Sequence, residues 1–153
     1  MNGSLYKLTH TDTAVSPLVL RLALGIMILP HGSQKLLGLF GGHGFTGTMQ
    51  FFTESMGIPY VFALLAILAE FFGGVGLILG LGTRVAAFGV GAVMLVAAQT
   101  SHVQHGFFMN WFGNQQGEGI EFFILAVGIA IALVIEGGGR WSVDGSVSTP
   151  DKL

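Results

Sequence analysis

Long apolar runs, broken by short clusters of glycine, proline and charge, set the pattern of this chain. A helix that crosses a bilayer needs about 20 mostly apolar residues, because the hydrocarbon core is about 30 Å thick and each residue rises about 1.5 Å. Four stretches meet that need, at about 17–37, 59–81, 83–105 and 118–136. The first carries Pro17 in its opening turn, where a missing N–H does no harm. None shows the apolar–polar alternation of a membrane strand. The pattern predicts an all-α integral membrane protein: one domain over 1–153, built as a four-helix transmembrane bundle.

Two details qualify that outline. The first apolar stretch contains Arg21 and ends in Pro30-His31-Gly32-Ser33-Gln34-Lys35 with no small-residue cleavage site, so it is expected to stay as a span and not to be removed as a signal peptide. After it, Thr46 or Thr48 can cap a short helix that ends at Met56 and is stopped by Gly57 and Pro59. Phe45, Met49, Phe52 and Met56 fall on one face of it. This predicts an amphipathic helix in the first loop, lying on the membrane surface or over the mouth of the bundle.

Composition narrows the class. Hydrophobic residues make up 52% of the chain and charged residues 9%, where a soluble domain carries about 25% charged. Mean hydropathy is +0.74. A soluble enzyme or a secreted domain needs more charge to cover its surface. With a net charge of −2 and no basic stripe, nucleic acid is excluded as a partner; the expected partner is the lipid bilayer. Cysteine is absent, which removes disulfides, thiol chemistry, Fe–S clusters and cysteine-held zinc. Glycine supplies 25 residues, and Gly76 with Gly80 forms a G-x-x-x-G step suited to close helix packing inside the bundle or to a homo-oligomer face.

Lys and Arg set the expected orientation. Lys7, Arg84, Arg140 and Lys152 lie on the side of the termini, with Arg21 near that end of its span; Lys35 lies toward the other. The asymmetry predicts cytoplasmic termini and outward-facing loops at about 38–58 and 106–117. Two motif matches carry no weight. Gly42-His43-Gly44-Phe45-Thr46-Gly47 fits G-x-G-x-x-G without the strand and helix that give the motif meaning, and Asn2-Gly3-Ser4 fits a glycosylation acceptor at a terminus expected to be cytoplasmic.

Ionisable groups inside a span are expensive and mark functional candidates. His31, Gln34 and Lys35 lie at the outer end of the first span, His31 and Lys35 on one face, next to a kink expected at Pro30. Glu70 lies roughly 16 Å into the second span, near the midplane. Gln99, His102 and His105 occupy the outer part of the third, and Glu118 and Glu121 open the fourth. An antiparallel order gathers these groups in the outer half. The candidate ligand-binding set is His31, Lys35, Glu70, Gln99, His102 and Glu121, with Glu70 and His31 for proton chemistry; near a midplane, Glu70 is expected to stay neutral or to find His31 or Lys35 as a partner. Each has a plainer alternative. Lys35 can snorkel to the headgroups, Glu118 and Glu121 can serve as first-turn carboxylates, and His105 can sit at the interface. A structural interhelical hydrogen bond would account for any one of the deeper groups.

Several segments together resemble the DoxX-like family of small membrane proteins: Arg21 and Gly25 followed by His31-Gly32 and Lys35-Leu36; Gly47 and Phe52 followed by Gly57-Ile58-Pro59; Glu70-Phe71-Phe72-Gly73-Gly74 running to Gly80 and Thr83-Arg84; and the tail Gly137-Gly138-Gly139-Arg140-Trp141-Ser142-Val143-Asp144. The resemblance covers roughly 15–145. It implies a four-helix protein of the bacterial inner membrane, in a family whose members are associated with quinol oxidase, thiosulfate:quinone oxidoreduction, oxidative-stress complexes and, in eukaryotes, membrane chaperoning. The absence of cysteine departs from four-helix membrane enzymes that pass electrons through cysteine pairs.

Three functional classes fit the residues. One is a redox-linked subunit with a quinone or similar apolar ligand between its helices: His31 or His102 would donate to a carbonyl, Glu70 would relay a proton, and a donor or partner subunit would supply electrons. Another is a metal or haem site, with His102 and His105 facing Glu121 and His31. The third is a non-catalytic assembly factor or scaffold. The residues leave open whether the chain is itself catalytic or a subunit of a membrane quinone-linked oxidoreductase.

Overall fold

The computed structural model describes residues 10, 11 and 13–148, so Asn2-Gly3-Ser4, Lys7 and Lys152 lie outside the described residues. Among the described residues all regular structure is helical. Helix α1 spans Ser16–Leu37. Helix α2, Gly44–Gln50, continues through a π-helical turn, Phe51–Ser55. Helix α3 spans Tyr60–Leu79. Helix α4, Thr83–Ala97, is prolonged by a π-helical turn, Ala98–His102, and a 3-10 turn, Val103–His105. Helix α5 spans Glu121–Glu136, and a short α6, Val143–Ser148, closes the described chain.

The ends of these helices follow from local chemistry. Helix α1 starts at Ser16-Pro17, runs through Pro30, and stops where Gly38 turns left-handed (φ 72°) and donates its N–H to Ser33 O. Gly80, at φ 66°, ends α3 in the same manner. Three helices, Ser16–Leu37, Tyr60–Leu79 and Thr83–His105, are long and apolar enough to cross a membrane. The fourth differs from expectation. It begins at Glu121 because Gly119 and Ile120 donate their N–H groups back to Phe108 and Gly106 and so close a loop. Its 16 residues give a length of about 24 Å.

Helices α1, α3, α4 and α5 pack antiparallel in sequence order around one apolar core that includes Leu24, Ile28, Leu77, Val90, Ala126 and Leu133. Glycine sets how closely α1 and α3 approach: a Cβ on Gly32 would stand 2.5 Å from Phe71 N. Gly76 and Gly80, the G-x-x-x-G pair, are packed within the chain, against Leu81 O and against the Ser142 side chain. A second cluster of Met49, Ala63 and Ile67, flanked by Leu36 and Phe52, fixes α2 across the loop end of α1 and α3. The amphipathic helix in the first loop is therefore present. It starts at Gly44, before the threonines expected to cap it. Large apolar side chains such as Val19, Ile26, Phe72, Phe88, Leu125 and Ile135 face outward, as lipid-facing surfaces require.

Candidate functional site

Ala63, Ile67, Glu70, Gly74 and Leu77 form the buried stripe of α3, so Glu70 enters the bundle at the position an apolar residue would otherwise fill. The side chain of Glu70 is 4% exposed and that of Lys35 25%, and Lys35 Nζ donates to Glu70 Oε2 at 2.6 Å. The bare backbone of Gly32, one turn earlier on α1, lies against Glu70 and Phe71 and draws the two helices together. That approach brings a lysine from the helix end to a carboxylate halfway along its neighbour. A buried carboxylate in lipid must be neutral or paired; here it is paired.

The remaining candidates do not join this pair in one pocket. His31 and Gln99 are exposed. Gln99 lies inside the π-helical turn Ala98–His102, whose wider winding breaks the phase that would keep residues 99, 102 and 105 on one face. His102 shares a hydrogen bond between Nδ1 and Glu118 O at 2.9 Å and lays its ring 4.4 Å from that of Phe123. Glu121 accepts from Met109 N at 2.8 Å and from Trp111 Nε1 at 3.3 Å. Glu118 accepts from Asn110 N. These three side chains hold the loop between α4 and α5. Nor does the structure assemble the ligand set weighed for a metal: among the described residues no three His, Asp or Glu side chains stand together as a metal would require.

The other end of the bundle carries a polar cluster that the sequence reading passed over. Arg21 is 2% exposed. Its guanidinium donates to Gly138 O at 3.0 Å, Leu77 O at 3.1 Å, Ile78 O, Trp141 O at 2.8 Å and, more loosely, Arg140 O at 3.4 Å. Asp144, equally buried, accepts from Gly82 N at 2.7 Å and Thr83 N at 2.8 Å, capping the start of α4. Arg84 in turn donates to the last carbonyls of α5, Val134 O and Ile135 O. Buried polar groups thus stand toward both ends of the bundle. An open cleft of about 440 Å³ lies at this terminal end, lined by His10, Thr11, Pro17, Arg84 and Glu136 among others. The available signals were Arg21 early in a span, and the Ser-x-Asp that follows the glycine run.

The family model described as DoxX matches residues 16–103, from the start of α1 into the last turn of α4. That match takes in more than half of the chain and both members of the Lys35–Glu70 pair. The chain belongs to the DoxX family. It is similar to the inner membrane protein YqjF of Escherichia coli (strain K12), with 30% identity over 135 residues, 85% of this chain and 90% of that protein. No solved structure matches. With its apolar outer surface and three helices of spanning length, this DoxX-family chain is an α-helical membrane protein.

Proposed function

We propose that this DoxX-family protein is a redox-linked subunit of the bacterial cytoplasmic membrane that takes the head group of a quinone, or a similar apolar ligand, beside the Lys35–Glu70 pair. In this reading all four bundle helices cross the bilayer and both termini are cytoplasmic, following the lysine and arginine asymmetry of the loops. The observation that carries the proposal is the Lys35–Glu70 contact of 2.6 Å, formed between two side chains about halfway along α3.

The residues present fit such a head group. An ammonium has three N–H donors, and the side chain of Lys35, a quarter exposed, keeps some of them reachable while it holds Glu70. Lys35 Nζ would donate to a carbonyl oxygen. Glu70 Oε2, buried and held by Lys35, would accept or return the proton. A bound quinone supplies two-electron, two-proton chemistry, and electrons come from a donor or partner subunit. The pair would supply orientation and a proton site.

Organic extraction of the purified protein, with a short-chain quinone titrated into the delipidated sample, tests this reading. Quinone should co-purify with or bind the wild type, and be lost from Lys35→Met and Glu70→Gln. A wild type that carries no quinone and binds none would overturn it and leave the scaffold reading.

A further inference from the structure

The loop between α4 and α5 has an unusual makeup for a segment at the end of a bundle. From Gly106 to Gly117 it contains no Asp, Glu, Lys or Arg. It presents Phe107, Phe108, Trp111 and Phe112 outward, with Phe112 90% and Trp111 79% exposed. A loop bathed in water has no reason to spend four large aromatics this way, whereas the interfacial belt of a membrane protein is built from such rings.

Part of the loop's backbone is held from within the protein. Gly119 N donates to Phe108 O, Ile120 N to Gly106 O and Glu121 N to Phe107 O. Met109 N and Asn110 N donate to the carboxylates of Glu121 and Glu118. Gln115 N donates to Asn110 Oδ1, and Asn110 Nδ2 to Gln115 O. Water does this work for an ordinary exposed loop. Irregular backbone at membrane depth must instead find its partners within the protein.

Length supplies a third argument. Helix α5 has 16 residues, so it falls short of a hydrocarbon core of about 30 Å by roughly 6 Å. The segment folded onto its first turn lies where that shortfall occurs.

We propose that Phe107, Phe108, Trp111 and Phe112 dock into the interface of the protein's own bilayer, so that segment 106–120 completes the crossing that α5 is too short to make alone. The ligand is a lipid surface, and because 106–117, which carries the four rings, has no charged residue, the docking does not depend on anionic headgroups. Glu118 and Glu121 act as acceptors that fix the loop's shape. This rests on the reading that α5 crosses the membrane, and on nothing in the quinone proposal.

The chain has two tryptophans, so Trp141→Phe leaves Trp111 as the sole reporter. In phosphatidylcholine vesicles, Trp111 emission should be shifted to the blue of free tryptophan, quenched by half or more when the acyl chains are brominated, and quenched several-fold less by aqueous acrylamide than free tryptophan is. Adding Glu121→Leu, which removes the acceptor of Met109 N and Trp111 Nε1, should move the emission to the red with the helical circular dichroism unchanged. Emission like that of free tryptophan, open to acrylamide and indifferent to brominated lipid, would overturn the proposal and point to a water-soluble protein partner. Sided labelling of Gln116→Cys and Val147→Cys separates the two failures. Labelling from opposite faces keeps the crossing of α5, so a water-exposed Trp111 then sinks the docking alone. Labelling from one face removes the crossing and the docking together.

Discussion

The two ends of this bundle bury the same kinds of side chain and satisfy them in opposite ways. At the terminal end, Arg21 is held by five main-chain carbonyls and Asp144 by two main-chain N–H groups. At the loop end, Glu70 meets one ammonium on one flexible stem. Main-chain partners cannot turn away without moving the backbone itself, so the terminal cluster locks α1, α3, α4 and the glycine-rich tail in place. A lysine stem has rotatable bonds, and the proposed function needs the Lys35–Glu70 contact to admit a third group. The proposed function assigns structure to the charge that the backbone holds and chemistry to the one that a side chain holds.

The largest effect expected from that contrast is at Arg21. Arg21→Met strands carbonyls of α3 and of the tail at once and should lower stability by at least about 3 kcal/mol. Thermal midpoint and yield in detergent measure it; a variant as stable as wild type would end the distinction between the two ends. Asp144→Ala removes the cap of α4 and should cost about 1–2 kcal/mol, read from the same melts, with any quinone binding retained.

At the loop end stability and function should separate. Lys35→Met leaves a carboxylate in lipid, but that carboxylate can take a proton, which limits the loss to about 1–2 kcal/mol. The double variant Lys35→Met with Glu70→Gln should recover most of this stability while quinone binding and any proton-coupled activity stay lost. A double variant that binds quinone like wild type would show the pair to be a packing device. The smallest effect belongs to the histidines. His31 is exposed, while His102 bonds to Glu118 O. The two share no network, so His31→Ala should be within about 0.5 kcal/mol of wild type, and its combination with His102→Ala should be additive to about that margin. A coupling well above it would restore the common pocket.

Reading along the chain left Glu70 to stay neutral or to pair with His31 or Lys35, and the structure pairs Lys35 and Glu70. What joins them is Gly32, whose contact with Phe71 N is a fact about two helices. The spacing of Gln99, His102 and His105 within the third span has a fixed phase only under unbroken helical winding, and the π-helical turn breaks it. Glu121 reads as a first-turn carboxylate or as a pocket group, and it serves a loop twelve residues back. The partners of Arg21 were hardest to foresee, because backbone carbonyls leave no mark in a sequence.

Chain chemistry alone determined that this is a helical membrane protein, roughly where its long helices lie, and which ionisable side chains the bilayer must accommodate. Those properties depend on transfer of side chains from water to lipid and on the rise of a helix, both additive along a chain. The tertiary structure alone decided which of those charges pair with a side chain, which are taken up by main chain, and which turn outward. That choice depends on the distance between backbones and the phase of each helix where they meet. Here one glycine at position 32 and one turn of π-helix at 98–102 set both.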